Sequence, residues 1–175
     1  LAEKNPSMLV EPDGEGQTPI HVACAFSDLD TVKVLLKLKP ETLQMKSNLD
    51  YTPFVEAVVA ENMPVVLHMT ETYPSLLVVK GHELGWYPLH YACFEGKKES
   101  LKFLLEKHPN AAKEVDKQGR TPLALVAKRD DCDTVTIHSL VACHYDTMKI
   151  VDFNGNPPLT HDQKDALIAF FLENR

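Results

Sequence analysis

No stretch of this chain approaches the ~20 consecutive apolar residues a membrane-spanning helix needs, and no basic, apolar, small-residue series opens it as a secretory signal would. Positive charge is scarce too: 18 Lys and Arg stand against 25 Asp and Glu, a formal net charge of −7. Phosphate binding depends on a concentrated positive surface, so duplex nucleic acid is excluded as a general partner. The pair Lys97-Lys98 reads as a solvated face. The arrangements that carry catalysis are missing as well. There is no G-x-S-x-G nucleophile elbow and no cysteine-hydrolase signature. Gly14-Glu15-Gly16 lacks the remaining glycine of a dinucleotide loop and reads as a turn, and His82-Glu83 followed by His90 fails the H-E-x-x-H spacing that aims two imidazoles at one ion. No spacing marks a general acid with a general base, so no catalytic residue and no cofactor is assigned.

What is present is repetition. Thr18-Pro19-Ile20-His21, Thr52-Pro53-Phe54-Val55, Tyr87-Pro88-Leu89-His90, Thr121-Pro122-Leu123-Ala124 and Pro157-Pro158-Leu159-Thr160 return every 34 to 36 residues. A period of this size predicts a stacked solenoid. The tetrapeptide explains itself: a Thr hydroxyl caps a helix N-terminus, and Pro at the first helical position gives up an N–H that would be orphaned anyway. Each copy therefore starts a helix. A second marker runs in phase, since Pro6, Pro40 and Pro109 lie 13 residues before Pro19, Pro53 and Pro122, and Pro74 lies 14 before Pro88.

These motifs resemble the ankyrin-repeat family, whose repeat opens with T-P-L-H-x-A, runs two antiparallel helices and returns through a hairpin finger. The resemblance covers essentially the whole chain. It is strongest over residues 16–24 and 87–93, with Val32-Lys33-Val34-Leu35-Leu36 and Leu101-Lys102-Phe103-Leu104-Leu105 in the matching second helices. It implies an all-α solenoid of antiparallel helix pairs with short hairpin fingers: four full repeats at 14–47, 48–82, 83–116 and 117–152. The end of a truncated repeat at 1–13 and a partial or capping repeat at 153–175 flank them. Residues 1–6 read like the end of a second helix, so further repeats are expected before them.

Departures from the pattern carry their own expectations. Lys39-Pro40-Glu41, Tyr73-Pro74-Ser75 and His108-Pro109-Asn110 replace the usual Gly-Ala-Asp, so the second helices stop at proline. Val55 stands where the motif histidine belongs, the second helix of repeat two begins at Pro64, and two extra residues fall near Asp130-Asp131-Cys132-Asp133. Each repeat buries few large apolar residues, in repeat one Ile20, Val32, Val34, Leu35 and Leu36, at roughly 1.5–3 kcal/mol apiece. Backbone ordering costs roughly 1–2 kcal/mol per residue, so stacking has to make the sum favourable.

His21 with Cys24, and His90 with Cys93, share a helix face at a spacing that could hold half a zinc site. The family resemblance instead makes the histidine a brace and the cysteine a small core residue, so no metal is assigned. The looser set Cys132, His138, Cys143 and His144 has no recognised spacing. Cys24 and Cys93 cannot reach each other across a repeat, whereas a disulfide between Cys132 and Cys143 stays open. Free thiols point to a reducing, intracellular compartment, the cytoplasm by expectation.

In the family register the binding surface consists of finger tips and the exposed ends of first helices. That register gives Phe26 in repeat one, Leu49, Tyr51 and Val59 in repeat two, and Leu84, Trp86 and Phe94 in repeat three. Repeat four gives Lys117, Arg120, Lys128 and Arg129. An apolar set holding the sole Trp predicts an interaction patch, and such anchors can contribute ~2 kcal/mol or more apiece; inward packing of Phe26 and Phe94 is the competing reading. The function expected is a non-catalytic scaffold or adaptor whose protein partner offers an apolar segment with an acidic end. The alternatives are the targeting region of a larger enzyme and a permanent subunit of a large assembly. No membrane insertion is expected, and oligomeric state is open. Thr160-His161-Asp162-Gln163 has capping-box spacing and leads into seven apolar residues, Ala166 to Leu172, that run all round a helix. A further element or a partner is expected to meet that helix.

Overall fold

A computed structural model describes residues 6–81 and 83–173; the helix end expected at residues 1–5 lies outside them. Every regular element among the described residues is helical. The α-helices are α1 Pro19–Phe26, α2 Leu29–Leu38, α3 Pro53–Ala60, α4 Met63–Thr72, α5 Pro88–Glu95, α6 Lys98–Lys107, α7 Pro122–Val126, α8 Thr134–Cys143 and α9 His161–Glu173. They fall into two compact units, one ending at residue 83 with α1 to α4, the other starting at residue 84 with α5 to α9.

The start signals act as their chemistry dictates. Thr52 Oγ1 accepts from the Val55 N–H at 3.3 Å and Thr121 Oγ1 from the Ala124 N–H at 3.3 Å, each with proline next to the cap. Asp28 and Asp133 cap α2 and α8 through the N–H groups of Thr31 and Thr136. In the second helix of the second pair, Met63 leads and Pro64 occupies the first turn. The second helices do end just before Pro40, Pro74 and Pro109. Each proline then opens a 3-10 helix, at Pro40–Gln44, Pro74–Val78 and Pro109–Lys113, with a proline-free counterpart at Tyr145–Lys149. α7 has only five residues, and the longer stretch from Ala127 to Asp133 separates it from α8.

The core of the first unit joins Ile20, Cys24, Val32 and Leu36 to Phe54, Val58, Val65 and Met69. Two residues expected there do not fully join it: Val34 is exposed and Leu35 only half-buried. Val34 lies two residues from Val32, about 200° round the helix at 3.6 residues per turn, and so faces outward. The second unit centres on Leu89, Cys93, Leu104, Leu123, Leu140 and Leu159. Cys132 and Cys143 are free thiols, as are Cys24 and Cys93.

Between helix pairs the chain makes tight fingers whose turning residues, Gly16, Asp50, Gly85, Gly119 and Gly155, all have positive φ. Two of the glycines are required by contact as well. A Cβ on Gly16 would meet Asn48 Oδ1 at 2.5 Å, and one on Gly119 would meet the Phe153 ring at 2.6 Å. Neighbouring fingers within a unit are tied by backbone hydrogen bonds. The Asn48 N–H donates to the Glu15 carbonyl at 2.9 Å, Lys117 to Leu84 at 3.0 Å and Phe153 to Gln118 at 2.9 Å. An aspartate organises three of the turns: Asp13, Asp116 and Asp152 each accept from N–H groups two and four residues on.

α9 opens with a reciprocal cap between Thr160 and Gln163. Leu167 is buried, Gln163 Nε2 donates to the Ala127 carbonyl at 2.6 Å, and His138 packs against the rings of Phe170 and Phe171. No helix among the described residues is long and apolar enough to cross a membrane.

Candidate functional site

The motif histidine holds the finger of the next pair in place. His21 Nδ1 accepts from the Thr18 N–H at 3.2 Å and lies 2.8 Å from Thr18 Oγ1. Its Nε2 faces only carbonyls, Tyr51 O at 3.1 Å and Met45 O at 3.2 Å, so Nε2 carries the proton. Burial holds the His21 pKa below the ordinary value, against the upward pull of those carbonyls. In the second unit His90 repeats the arrangement, accepting from the Tyr87 N–H and pointing Nε2 at the Arg120 carbonyl. Burial pushes the Cys24 thiol up to about 12 and also raises that of Cys93. With the His21 ring nitrogens engaged and Cys24 kept as a thiol, the pair serves packing; no cluster of three metal-ligating side chains forms among the described residues.

On the first unit, two of the four predicted surface residues stand out from the fold. Phe26, the last residue of α1, is 83% exposed, and Leu49 at the finger tip is 69% exposed. Tyr51 and Val59 are half-buried, and the Tyr51 carbonyl accepts a hydrogen bond from His21 Nε2. Glu56, which was not singled out from sequence, shares the first-helix face with Val59 one turn on. It is nine-tenths buried, and one carboxylate oxygen accepts from Gln17 Nε2 at 3.0 Å. Burial pushes the Glu56 carboxyl up to about 7; the Gln17 hydrogen bond opposes that rise and the charge of Glu15 adds to it. The signal lay four residues after the motif Thr, where the other pairs carry Val22, Tyr91 and Leu125.

On the second unit the expectation for Trp86 needs correction. It is only 4% exposed and cannot serve as an open anchor. Its indole N–H donates to Asp116 Oδ2 at 3.0 Å, its ring meets Tyr91 edge-on and tilts against Phe94, and the Arg120 guanidinium lies over it at 5.8 Å. A Trp with a large apolar body and one donor is buried wherever an acceptor is waiting. Arg120 is committed in the same way, paired with Asp116 at 2.7 Å. Burial works against the Asp116 charge, yet the donors of Arg120, Trp86 and Gln118 hold its carboxyl below the usual range. Arg129 pairs with Asp131 and donates to the Phe94 carbonyl, so it too is occupied within the fold. Leu84 and Phe94 remain partly exposed, and Lys117 and Lys128 are exposed. The terminal helix leaves a groove of about 460 Å³ lined by Tyr145, Met148, Leu167, Ile168, Phe171 and Leu172.

Residues 68–147 match the family described as Ankyrin repeats (3 copies), and residues 15–41 match Ankyrin repeat. Over 167 residues the chain is 30% identical to a probable 26S proteasome regulatory subunit, p28, of Saccharomyces cerevisiae, covering 93% of this chain and 70% of that one. Over 130 residues it is 26% identical to the ANK repeat-containing protein nipk-1 of Caenorhabditis elegans, covering 70% of this chain but only 21% of that relative. A solved ankyrin repeat protein, EF0377, shares the fold at a TM-score of 0.73 and 20% identity, over 91% of this chain and 80% of its own.

Proposed function

The chain belongs to the ankyrin-repeat family, and from that premise we propose that it is a non-catalytic scaffold or adaptor holding a protein partner on its finger tips and first-helix ends. Ankyrin repeats are protein-interaction modules that present extended binding surfaces. The observation that carries the reading is the exposure of Phe26 and Leu49, large apolar side chains standing in water at 83% and 69% on the finger and first-helix side of the first unit. The partner supplies an apolar segment for them, and exposed Lys117 and Lys128 on the second unit favour acidic groups in it. The array is divided at residues 14, 48, 83, 117 and 153, and the free thiols favour an intracellular setting.

The test is affinity capture from the native source with the wild-type chain beside a Phe26→Ala, Leu49→Ala double variant. A protein recovered with wild type alone, while both chains keep the same helical circular dichroism, supports the surface. Identical recoveries would sink it. A second reading, a permanent subunit of a large assembly, is favoured by the relative named as a proteasome regulatory subunit. Recovery of a fixed, stoichiometric set of proteins would favour that reading over an exchanging adaptor.

A further inference from the structure

Among the described residues three carboxylates are buried at the fingers: Asp116 is neutralised by a cation, Asp152 is held by the N–H groups of Asn154 and Asn156 and the Asn156 amide, and Glu56 has neither kind of support. Asp116, 4% exposed, receives the Arg120 guanidinium, the Trp86 indole N–H and the N–H groups of Gln118 and Arg120. Glu56, 8% exposed, receives one neutral donor, the Gln17 amide, and no lysine or arginine pairs with it among the described residues. A buried carboxylate with a single neutral partner leaves most of its lost hydration uncompensated. A cation delivered to it supplies that compensation through a charge-assisted hydrogen bond.

We propose that Glu56 is the receptor for a lysine or arginine side chain of the protein partner, performing in trans what Arg120 performs for Asp116 in cis. The inference rests on the protein-binding role proposed above and names the chemistry of one contact within it. The surroundings suit a long basic side chain. Val59 continues the same face of α3 one turn on and offers apolar surface to the stem. Glu15, in the adjoining finger, adds negative potential, and Cys24 of α1, the other titratable group coupled to Glu56, stays an uncharged thiol because burial holds its pKa near 12. Gln17, half-exposed at the finger edge, is the cover that turns aside.

The experiment is selection of a phage-displayed random 16-residue peptide library against the whole chain at pH 8, followed by affinity measurement on the enriched peptides. Enriched peptides are expected to carry a Lys or Arg whose change to Ala weakens binding tenfold or more. Glu56→Gln should weaken the parent peptide by a similar factor and leave the Ala-substituted peptide unaffected, the signature of one shared contact. Gln17→Ala, which removes the cover but keeps the carboxylate, should retain the basic preference. If Glu56→Gln lost its helical signal, histidine-free peptides on the wild-type chain would decide, with affinity expected to fall at least fivefold between pH 8 and pH 6. Peptides that bind Glu56→Gln as tightly as wild type, or that show no fall with pH in that case, overturn the Glu56 assignment and leave the protein-binding role standing. A library that yields no peptide above background overturns both.

Discussion

The two units start from the same parts and finish them differently. Each has a motif histidine bracing the following finger, a buried cysteine in its first helix and a buried acid beside the fingers. In the second unit three of the expected surface residues are turned to internal use: Trp86 and Arg120 are drawn onto Asp116, and Arg129 onto Asp131 and the Phe94 carbonyl. In the first unit Phe26 and Leu49 stand in solvent, and Glu56, at a different place in the repeat from Asp116, has no cation. The repeat therefore fixes where side chains stand, while whether they form surface or support depends on partners supplied from the neighbouring finger. Exposed apolar side chains are what remain where those internal partners are missing.

The strongest way to break the contrast is to remove the hub of the closed unit. Asp116→Ala strips partners from the Arg120 guanidinium, the Trp86 indole and two finger N–H groups. Breaking a buried, hydrogen-bonded charge pair typically costs about 3–5 kcal/mol. Urea unfolding should show that loss, and Trp86 fluorescence should shift to the red in the native baseline; an unchanged midpoint and spectrum would mean the hub is not what closes this surface. His21→Ala should come next, at about 2–3 kcal/mol, because it empties a buried site, orphans the Thr18 N–H and takes one donor from the Tyr51 carbonyl. Hydrogen exchange should place the resulting protection loss in the finger around residues 47–51 and leave the His90-braced finger of the second unit unaffected.

The smallest effect concerns Glu56 and has a defined sign. Its folded pKa, about 7, lies above the ordinary 4.5, so between those values the native state holds a proton the unfolded chain has already lost. Stability from this group is full at low pH and is lost as pH rises through about 7. Solvent reaching the finger edge limits the change to on the order of 1–2 kcal/mol. His21 acts in the opposite direction, its neutral form giving stability that is lost as pH falls below 6.5. Subtracting the Glu56→Gln curve from wild type removes the His21 contribution, and a flat difference between pH 4.5 and 8 would remove Glu56 as a strained acid.

Helix starts were legible because they are local: Thr, Pro and the following N–H groups settle the matter within four residues. Finger register was legible for the same reason, since the positive-φ turn and the motif lie at a fixed distance. The 3-10 helices were not, because a proline that ends one helix and opens a tighter one reads simply as a stop. Trp86 was misread because its environment is set by Asp116, 30 residues away, and side-chain periodicity carries no record of that partner. Val34 was misplaced by counting apolar residues in a run without turning the helix between them. Glu56 was overlooked since an acid in a first helix usually faces water, and the register does not decide the matter: at the matching positions Tyr91 and Leu125 are buried but Val22 is exposed.

The paired cysteines give each unit its own clock. Cys24 and Cys93 are fully buried, one per unit, and remain thiols at neutral pH, so an alkylating reagent reaches either only when its surroundings open. Cys132 and Cys143, half-exposed, react from the folded chain and set the baseline. Mass-resolved labelling at Cys24 and Cys93 thus reads the opening equilibrium of the two halves separately, within one molecule and without any reporter being introduced.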